Sequence, residues 1–386
     1  MYVQKFKCTN TAKAIFEKNT DLHQYRIVMD TDRDIKFDEN PLFPETTLFL
    51  GNGFDLSLGL RTRYTDFFNH LNDNGVKDYW PILDVVYESD LLYKQLNGTP
   101  FDGSMTDSCK FPSEEYTWFD LEDELKKHAK RKLPHSIQFI SGNQDAFALD
   151  KAYFEEIRSG LMAYLNFEVT RWGENDHMKA KSSPAYNLMY QVCVKAKAVP
   201  NIITFNYTDV RHLMSKCGGR LAGDININPD KVQHVHGSLA NEHIILGINE
   251  DREVPKEYDF LFKSWDDYYG SHKVIDTLRS SKIIIFFGLS FGSIDSVYFV
   301  DFFKSIIKGT YDKHKRHIVI CTYDEASIRE IYRQFFIMGI SIMELKAHCD
   351  FHFLLTNPQD SAHPHKFDRD KIAGWMHEWS DTTLDL

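Results

Sequence analysis

The sequence lacks several features that would each point to a specialised class of protein. Its 386 residues include only six cysteines and no C-x-x-C pair, so neither a disulfide framework nor a zinc ribbon is expected. No apolar run approaches the roughly 18 to 20 residues that span a bilayer, and the N-terminus lacks the apolar stretch of a secretory signal. Lys and Arg number 45 against 56 Asp and Glu, which disfavours nucleic acid as a partner. We therefore expect a cytoplasmic protein without membrane partners.

What the sequence does contain is typical of an α/β protein. Its composition is that of an ordinary globular chain, 42% hydrophobic and 26% charged. Short apolar runs rich in β-branched and aromatic residues alternate with segments of helical periodicity. The candidate strands are residues 47–50, 201–205, 232–235, 244–246, 283–287, 317–321 and 340–343. Most are continuous apolar runs, as in strands buried on both faces, which predicts a doubly wound, mostly parallel, Rossmann-like sheet.

The strand candidates also predict how the chain is divided. The length favours two domains, or one large domain with an insertion. We predict an α/β core formed by residues 46–64 and 199–356, interrupted by a helical insertion over residues 65–198. Within the insertion, helices are expected at 80–96, 152–171 and 183–197. Residues 1–45 form an N-terminal extension, and 357–386 a C-terminal tail with a helix over 367–379.

The first motif is a glycine-spaced turn that follows the first predicted strand and precedes a helical segment. Its residues are Gly51, Asn52, Gly53, Phe54, Asp55 and Gly59. Glycine lets the backbone approach a ligand closely, and free N–H groups at a helix start attract anions, so such a turn can cradle a phosphate. The spacing differs from the G-x-G-x-x-G dinucleotide fingerprint, and the chain has no Walker A pattern. The alternative is a tight turn that packs the helix on the sheet.

Polar residues end the second predicted strand, in the order Thr204, Phe205, Asn206, Tyr207, Thr208 and Asp209. Ligands of open α/β sheets bind beyond the carboxyl ends of the strands, where Asn206 is expected to lie. Its amide offers both a donor and an acceptor, which suits a water or a sugar hydroxyl. The alternative is a helix N-cap, a role that Asn206, Thr208 or Asp209 could each fill.

Histidines end the third predicted strand. His236, followed by Gly237, is a candidate general base near neutral pH. His234 would share its face of the sheet if the strand continued through both, but two histidines are too few to define a metal site. A structural histidine is the alternative.

The next strand end carries Gly288, Ser290, Ser293 and Asp295. These residues indicate either a loop that contacts a nucleotide or a capped helix start, with Ser293 as the cap and Asp295 favouring that terminus. His348, Cys349, Asp350 and His352 are of metal-binding types, but no recognised spacing completes them. We expect no metal.

Taken together, these motifs resemble the AbiH family of bacterial abortive phage-infection proteins. The resemblance covers roughly residues 47–295 and rests on the turn at 51–55 with Gly59, Thr62 and Tyr64, on residues 118–122 and 205–208, and on His236-Gly237. A more distant similarity, to sirtuins and sirtuin-like NAD-cleaving defence domains, implies a mechanism. Gly51, Gly53 and Gly59, Thr204-Phe205-Asn206, His236-Gly237 and Gly288-Leu289-Ser290 follow the motif order of those proteins. The cysteine quartet of deacetylating sirtuins is absent, so deacetylation is not expected.

The resemblance implies that the chain hydrolyses NAD at the nicotinamide–ribose bond when triggered. Asn206 would orient the water or ribose, and His236 would act as general base. Arg61 or Arg63 would meet the charge of the phosphates. The residues expected to bind NAD are Gly51, Asn52, Gly53, Phe54, Asp55, Gly59, Arg61, Thr204, Asp209, Gly237, Gly288, Ser290 and Asp295.

An abortive-infection role also implies restraint, because an unregulated NAD hydrolase would be toxic. Either assembly into a homo-oligomer or binding of a partner protein would supply that restraint until a phage-derived trigger appears. Two alternatives stay open. Asp55, a carboxylate in a phosphate turn, suggests a nucleotide-binding sensor or scaffold without catalysis. Asp55, Asp209, His234 and His236 could instead serve a metal-dependent nuclease or phosphohydrolase.

Overall fold

The computed structural model describes residues 46–73, 121–130, 146–218, 225–292, 294–309, 316–358 and 362–381. These residues belong to two compact units. The first unit includes 63–73, 121–130, 146–165 and 246–265, and the second includes 46–62, 166–245 and 266–381, with the gaps just given. The second unit therefore takes in 166–198, the last part of the predicted insertion. The predicted extension 1–45, the predicted helix 80–96 and Ser293 lie outside the described residues.

Six parallel strands form the sheet of the second unit. The strands among the described residues are β1 Thr46–Leu50, β2 Asn201–Thr204, β3 Val232–His234, β4 Gly237–Ser238, β5 His243–Ile244, β6 Ile283–Phe287, β7 His317–Thr322 and β8 Asp350–Leu355. The sheet has the order β3-β2-β1-β6-β7-β8, and all of its pairs are parallel. The chain winds outward in one direction from β1 and in the other from β6. This confirms the predicted α/β class, and it places the reversal of strand order between β1 and β6.

Helices of the second unit cover both faces of its sheet. Among the described residues of both units, the α-helices are α1 Asn52–Ser57, α2 Tyr64–Asp73, α3 Leu121–Lys130, α4 Ala146–Asn175, α5 Pro184–Tyr190, α6 Val210–Gly218, α7 Ser271–Ser280, α8 Val300–Ile307, α9 Glu325–Ile337, α10 Ile342–His348 and α11 Lys371–Asp381. A π-helical turn, Gln191–Lys195, continues α5. Short 3-10 helices lie at Lys179–Ser182, Pro229–Lys231, Leu239–Asn241, Lys256–Leu261, Lys263–Trp265 and Ser296–Tyr298. Within the part of the chain described, no helix is both long and apolar enough to cross a bilayer.

The continuous apolar strands bury both of their faces, as the sequence pattern predicts. In β1, Leu48 and Leu50 join one buried cluster while Phe49 joins the other. In β6, Ile285 and Phe287 face the first cluster, and the alternate residues face the second. Because side chains of a strand alternate between faces, each strand contributes to two cores. The sheet is therefore held rigidly from both sides, and its loops start from fixed positions.

The structure corrects the end of the predicted sheet. Residues 340–343, predicted as a strand, instead lead into α10, where the Ser341 hydroxyl caps the helix by accepting a hydrogen bond from the Glu344 N–H at 3.3 Å. The last strand is β8, whose sequence DFHFLL was not predicted. The short apolar run Ile340 to Met343 fits either a strand or a helix start, and the serine cap decides for the helix.

Two other strand predictions end differently in the structure. The strand β3 ends at His234, so it does not continue through His236. The run at 244–246 contributes only its first residue to a strand, in the small antiparallel pair of β4 and β5. The predicted helices at 152–171, 183–197 and 367–379 correspond to α4, to α5 with the π-helical turn, and to α11.

The first unit has its own buried centre. Phe67 of α2 packs against Tyr164 of α4, with ring centroids 5.7 Å apart. The fully buried ammonium of Lys263 lies 2.8 Å from the carboxylate of Glu122, which α3 contributes. This ion pair joins α3 to the 3-10 helix at Lys263–Trp265.

Candidate functional site

The loops that follow β1 and β6 close tightly on each other. The Gly51 N–H donates to the Phe287 carbonyl and the Gly53 N–H to the Gly288 carbonyl, both at 3.0 Å. A Cβ on Gly53 would lie 2.5 Å from the Gly288 Cα, and Gly288 itself has a φ of +65°. Glycine at these positions is therefore required by the close approach of two backbones. Since both N–H groups already donate to the protein, they are not donors for a phosphate.

A buried network of polar side chains joins the loop after β1 to the loop after β2. Asp55 is 1% exposed, and its two carboxylate oxygens accept separate hydrogen bonds. Asn206 Nδ2 donates to Oδ1 at 2.8 Å, and Thr208 Oγ1 donates to Oδ2 at 2.7 Å. The register explains the contact, because Leu50 pairs with Thr204 and the two strands end side by side.

The orientation of the Asn206 amide follows from its neighbours. Nδ2 donates to the Gly51 carbonyl at 3.0 Å as well as to Asp55. A carbonyl oxygen can only accept, so the nitrogen of the amide must face it. Both N–H bonds are thus used, while Oδ1 accepts no hydrogen bond from any residue the structure describes. Asn206 can therefore offer a ligand one acceptor.

Burial dominates the electrostatics of this network. Loss of hydration raises the pKa of Asp55 to about 7, and the hydrogen bonds from Thr208 and Asn206 offset only part of that rise. Among the residues that the structure describes, no charged side chain contributes to this rise in the pKa of Asp55. Asp55 is thus a carboxyl group whose proton is gained or lost close to neutral pH.

The helix N-cap considered for Asn206 is provided instead by Asp209. Asp209 Oδ1 accepts from the Arg211 N–H at 2.8 Å and caps the start of α6. Thr204 holds the strand end, because its hydroxyl accepts from the Asn206 N–H at 3.1 Å. These two predicted binding residues therefore have structural contacts of their own.

The two histidines occupy different environments. His234 Nδ1 lies 3.2 Å from the Asn206 carbonyl, so this nitrogen carries the proton, and burial lowers the pKa of the ring. His236 is 5% exposed and lies edge-on to Phe205, with ring centroids 5.6 Å apart. Its Nε2 is 3.9 Å from Oδ1 of Asp295. The structure thus brings His236 and Asp295 together, beside the residue that precedes Asn206.

Most of the remaining predicted residues make contacts of a structural kind. Thr62 Oγ1 donates to Asn52 Oδ1 at 2.5 Å, and Phe54 packs on Phe287 with ring centroids 5.8 Å apart. Gly237 has a φ of +75° and pairs with β5. Ser290 is exposed, as is Arg61, whose backbone N–H donates to the Glu168 carboxylate at 2.7 Å.

The last two predicted residues are Gly59, expected in the phosphate turn, and Arg63, expected as a charge partner of the phosphates. Gly59 has a φ of +90° in the turn after α1. Arg63 is exposed and belongs to the first unit. Across the described ranges, no three His, Cys, Asp or Glu side chains gather as a metal site would require.

Sequence reasoning did not predict the part played by Thr208. Its position two residues after Asn206, in the same polar strand end, was the available signal. It was considered as a helix cap, but its hydroxyl instead donates to Asp55. The link depends on a contact between residues 153 positions apart in the chain, which no local pattern encodes.

Comparison with known proteins agrees with the motifs. The family model for bacteriophage abortive infection AbiH matches residues 48–320, a range that includes every residue of the site described above. Neither a curated protein nor a solved structure matches the chain significantly. The family match extends over most of the chain. The chain therefore belongs to the AbiH family of bacteriophage abortive infection proteins.

Proposed function

We propose that the protein hydrolyses NAD at the nicotinamide–ribose bond as the effector of an abortive-infection response. The observation that carries this proposal is the Asn206 amide, which is fixed by two hydrogen bonds and has Oδ1 as its remaining acceptor. An acceptor held rigidly at the carboxyl end of a central strand suits a water or a ribose hydroxyl.

The reaction needs a positioned water and a place for its proton. Water adds to C1′ of the ribose while the C1′–N bond breaks, and the bonding electron pair neutralises the nicotinamide ring. The transition state resembles an oxocarbenium ion, as in glycoside cleavage. In this proposal Asn206 Oδ1 accepts a hydrogen bond from the water or from a ribose hydroxyl and fixes its direction. His236 takes the proton that the water releases.

Asp295 supports His236 in that role. Its carboxylate lies 3.9 Å from His236 Nε2, close enough to stabilise the imidazolium that forms when the ring takes a proton. General base catalysis of this kind contributes roughly 10² to 10⁴ in rate. Asp295, predicted as a binding residue, is here a partner of the base.

The phosphates of NAD require another source of positive charge than the turn after β1. Gly51 and Gly53 already donate their N–H groups to the loop after β6. Arg61 follows α1 in the chain and is exposed, and in this proposal it binds the pyrophosphate. Depletion of NAD would then stop growth of the infected cell, which fits the family to which the chain belongs.

Release of nicotinamide and ADP-ribose from NAD by the purified protein tests the proposal. Asn206→Ala and His236→Ala should each lower kcat by about 10² or more. Asn201→Ala, at the opposite end of the same strand, and His352→Ala, on β8, are matched controls that should keep wild-type turnover. Normal turnover in both Asn206→Ala and His236→Ala would contradict the mechanism.

The turnover assay, together with a binding measurement, separates the alternatives. Binding of NAD or ADP-ribose by calorimetry, without turnover even in extracts of infected cells, would favour a sensor or scaffold. Turnover that disappears on chelation and returns with a divalent cation would favour a metal-dependent hydrolase. Turnover that survives chelation and needs His236 supports NAD hydrolysis.

A further inference from the structure

Asp55 was predicted to contact the nucleotide, but its surroundings point to a different part in the site. The side chain is 1% exposed, and each carboxylate oxygen already has a donor from the loop after β2. Because the side chain is so deeply buried, a ligand in the site does not reach the Asp55 carboxylate. Any influence of Asp55 on a ligand has to pass through Asn206 or Thr208.

We propose that Asp55 is a positioning residue, which fixes the Asn206 amide so that only its Oδ1 faces the ligand. This inference rests on the proposed NAD hydrolysis and concerns the same site. An isolated asparagine can turn its amide over and present N–H groups instead of the oxygen. The Asp55 carboxylate and the Gly51 carbonyl are two acceptors that hold both N–H bonds, and together they prevent that flip.

A carboxyl group is suited to this position because two donors arrive from one loop. It offers one acceptor oxygen to Asn206 and the other to Thr208, at 2.8 and 2.7 Å. Thr208 in turn fixes the carboxyl plane, so the threonine acts one step further from the ligand. Neighbouring ionisable groups are His234, which contacts the Asn206 carbonyl, and Asp209, which caps α6.

The network predicts a definite order among variants. Asp55→Ala removes an acceptor and frees the Asn206 amide, and we expect kcat to fall about 10²-fold, the size of effect that misplaced catalytic groups produce. Asp55→Asn retains one acceptor oxygen for Asn206, while its NH₂ can donate to the Thr208 hydroxyl, so it should keep kcat within about tenfold of wild type. The KM for NAD should change little in either variant, since Asp55 does not touch the ligand.

A double-mutant cycle tests whether Asp55 acts through Asn206. If it does, Asp55→Ala should cause almost no further loss of kcat in the Asn206→Ala protein, because the amide it positions is gone. Losses that multiply in the double variant would overturn the proposal. So would a kcat within about twofold of wild type in Asp55→Ala, provided that thermal melting shows the variant to be folded.

A second pair of variants covers the case in which Asp55→Ala does not fold. Thr208→Val should lower kcat several-fold, whereas Thr47→Val, which removes a buried hydroxyl bonded to Ser281 at 2.6 Å, should leave kcat unchanged. Equal kcat in the two variants would overturn the positioning role. If wild-type protein never turns over NAD, the proposed function fails and this role fails with it. If the wild-type protein hydrolyses NAD but the variants do not show the expected kcat values, only the positioning role of Asp55 is contradicted.

Discussion

Glu122 and Asp55, two of the buried carboxylates, belong to different compact units and have opposite surroundings. Glu122 in the first unit lies 2.8 Å from the ammonium of Lys263, which is itself fully buried. Asp55 in the second unit accepts its hydrogen bonds from two neutral groups, the Asn206 amide and the Thr208 hydroxyl. Burial of an ionised group is costly unless an opposite charge compensates it. The first carboxylate has that compensation, and the second does not.

This difference separates a structural group from a candidate functional one. In the Glu122–Lys263 pair, two opposite charges of the same unit compensate each other and join two elements of that unit. Asp55 instead has a pKa raised to about 7 by burial, so its charged form is disfavoured where it stands. Perturbed carboxyl groups of this kind concentrate at functional sites. The comparison therefore predicts that removing Lys263, the partner of Glu122, destabilises the first unit. Removing the charge of Asp55 should instead stabilise the second unit.

The largest effect is expected from breaking the ion pair. Lys263→Met leaves the Glu122 carboxylate buried without its cation, which typically costs about 3 to 5 kcal/mol. Urea unfolding should show this loss as a lower midpoint. Replacing both partners, as Lys263→Met with Glu122→Gln, should recover much of the stability because no uncompensated charge is left.

A partly exposed ion pair in the same unit provides the control. Lys130 lies 2.9 Å from Asp251, and their side chains are 33% and 16% exposed, so Lys130→Met should lower the unfolding midpoint much less than Lys263→Met. If Lys130→Met and Lys263→Met had the same small effect, burial would not be what makes the Glu122 pair matter.

The second prediction is a gain of stability on removing the Asp55 charge. The folded-state pKa of about 7 lies above the ordinary aspartate value of 3.8, so the folded protein binds a proton more tightly than the unfolded chain does. The free energy of unfolding therefore falls as pH rises from about 4 to 7, and the penalty stays complete above pH 7. Asp55→Asn avoids it, and we expect a gain of about 2 to 4 kcal/mol at pH 8.

Thermal melting of the wild-type and Asp55→Asn proteins at several pH values tests whether the change in stability is a gain. The Asp55→Asn protein should melt at a higher temperature than wild type at pH 8, and the two melting temperatures should converge near pH 4. A lower melting temperature for Asp55→Asn at pH 8 would mean that the carboxylate is stabilised in its site after all.

The sequence allowed the strands to be predicted better than the contacts between their loops. The strands β1 and β6 were predictable because they are uninterrupted apolar runs, and the polar ends of parallel strands had to meet at one edge. The strand β8 was missed because Asp350 and His352 interrupt its apolar character. The hydrogen bonds from Asn206 to Gly51 and Asp55 depend on the register of β1 against β2, which the apolar pattern does not encode.

The glycine turn shows the same limit. Its spacing predicted a phosphate cradle or a tight packing turn with equal justification. The close contact of Gly53 with Gly288, which comes from a strand more than 200 residues away, gives the glycines a packing role that no local motif could reveal.

The third prediction tests whether that contact keeps Asp55 dry. Gly53→Ala would place a Cβ 2.5 Å from the Gly288 Cα, so the two loops must separate, at a cost of about 1 to 3 kcal/mol. Water should then reach Asp55, and the fall of stability between pH 4 and 7 should become shallower. Gly173→Ala is the matched control, because no atom of the described residues lies within 4 Å of the added Cβ and α4 should gain roughly 0.5 to 1 kcal/mol. Unchanged pH dependence in Gly53→Ala would show that the loop contact does not shield the carboxyl.

The smallest expected effect concerns a single hydroxyl beside the uncompensated charge. Thr208→Val removes one of the two hydrogen bonds that lower the pKa of Asp55, so that pKa should rise further. A hydrogen bond to a neutral group is worth about 1 kcal/mol and one to a charged group about 1.5 to 3, so the loss of stability should grow as pH rises through 7. Thr47→Val removes a buried hydroxyl that is hydrogen-bonded to another neutral hydroxyl, that of Ser281, and the resulting loss of stability should be the same at every pH. Parallel pH profiles for the two variants would mean that Thr208 does not serve the charge of Asp55, and the contrast between the two buried carboxylates would then rest on Asn206 alone.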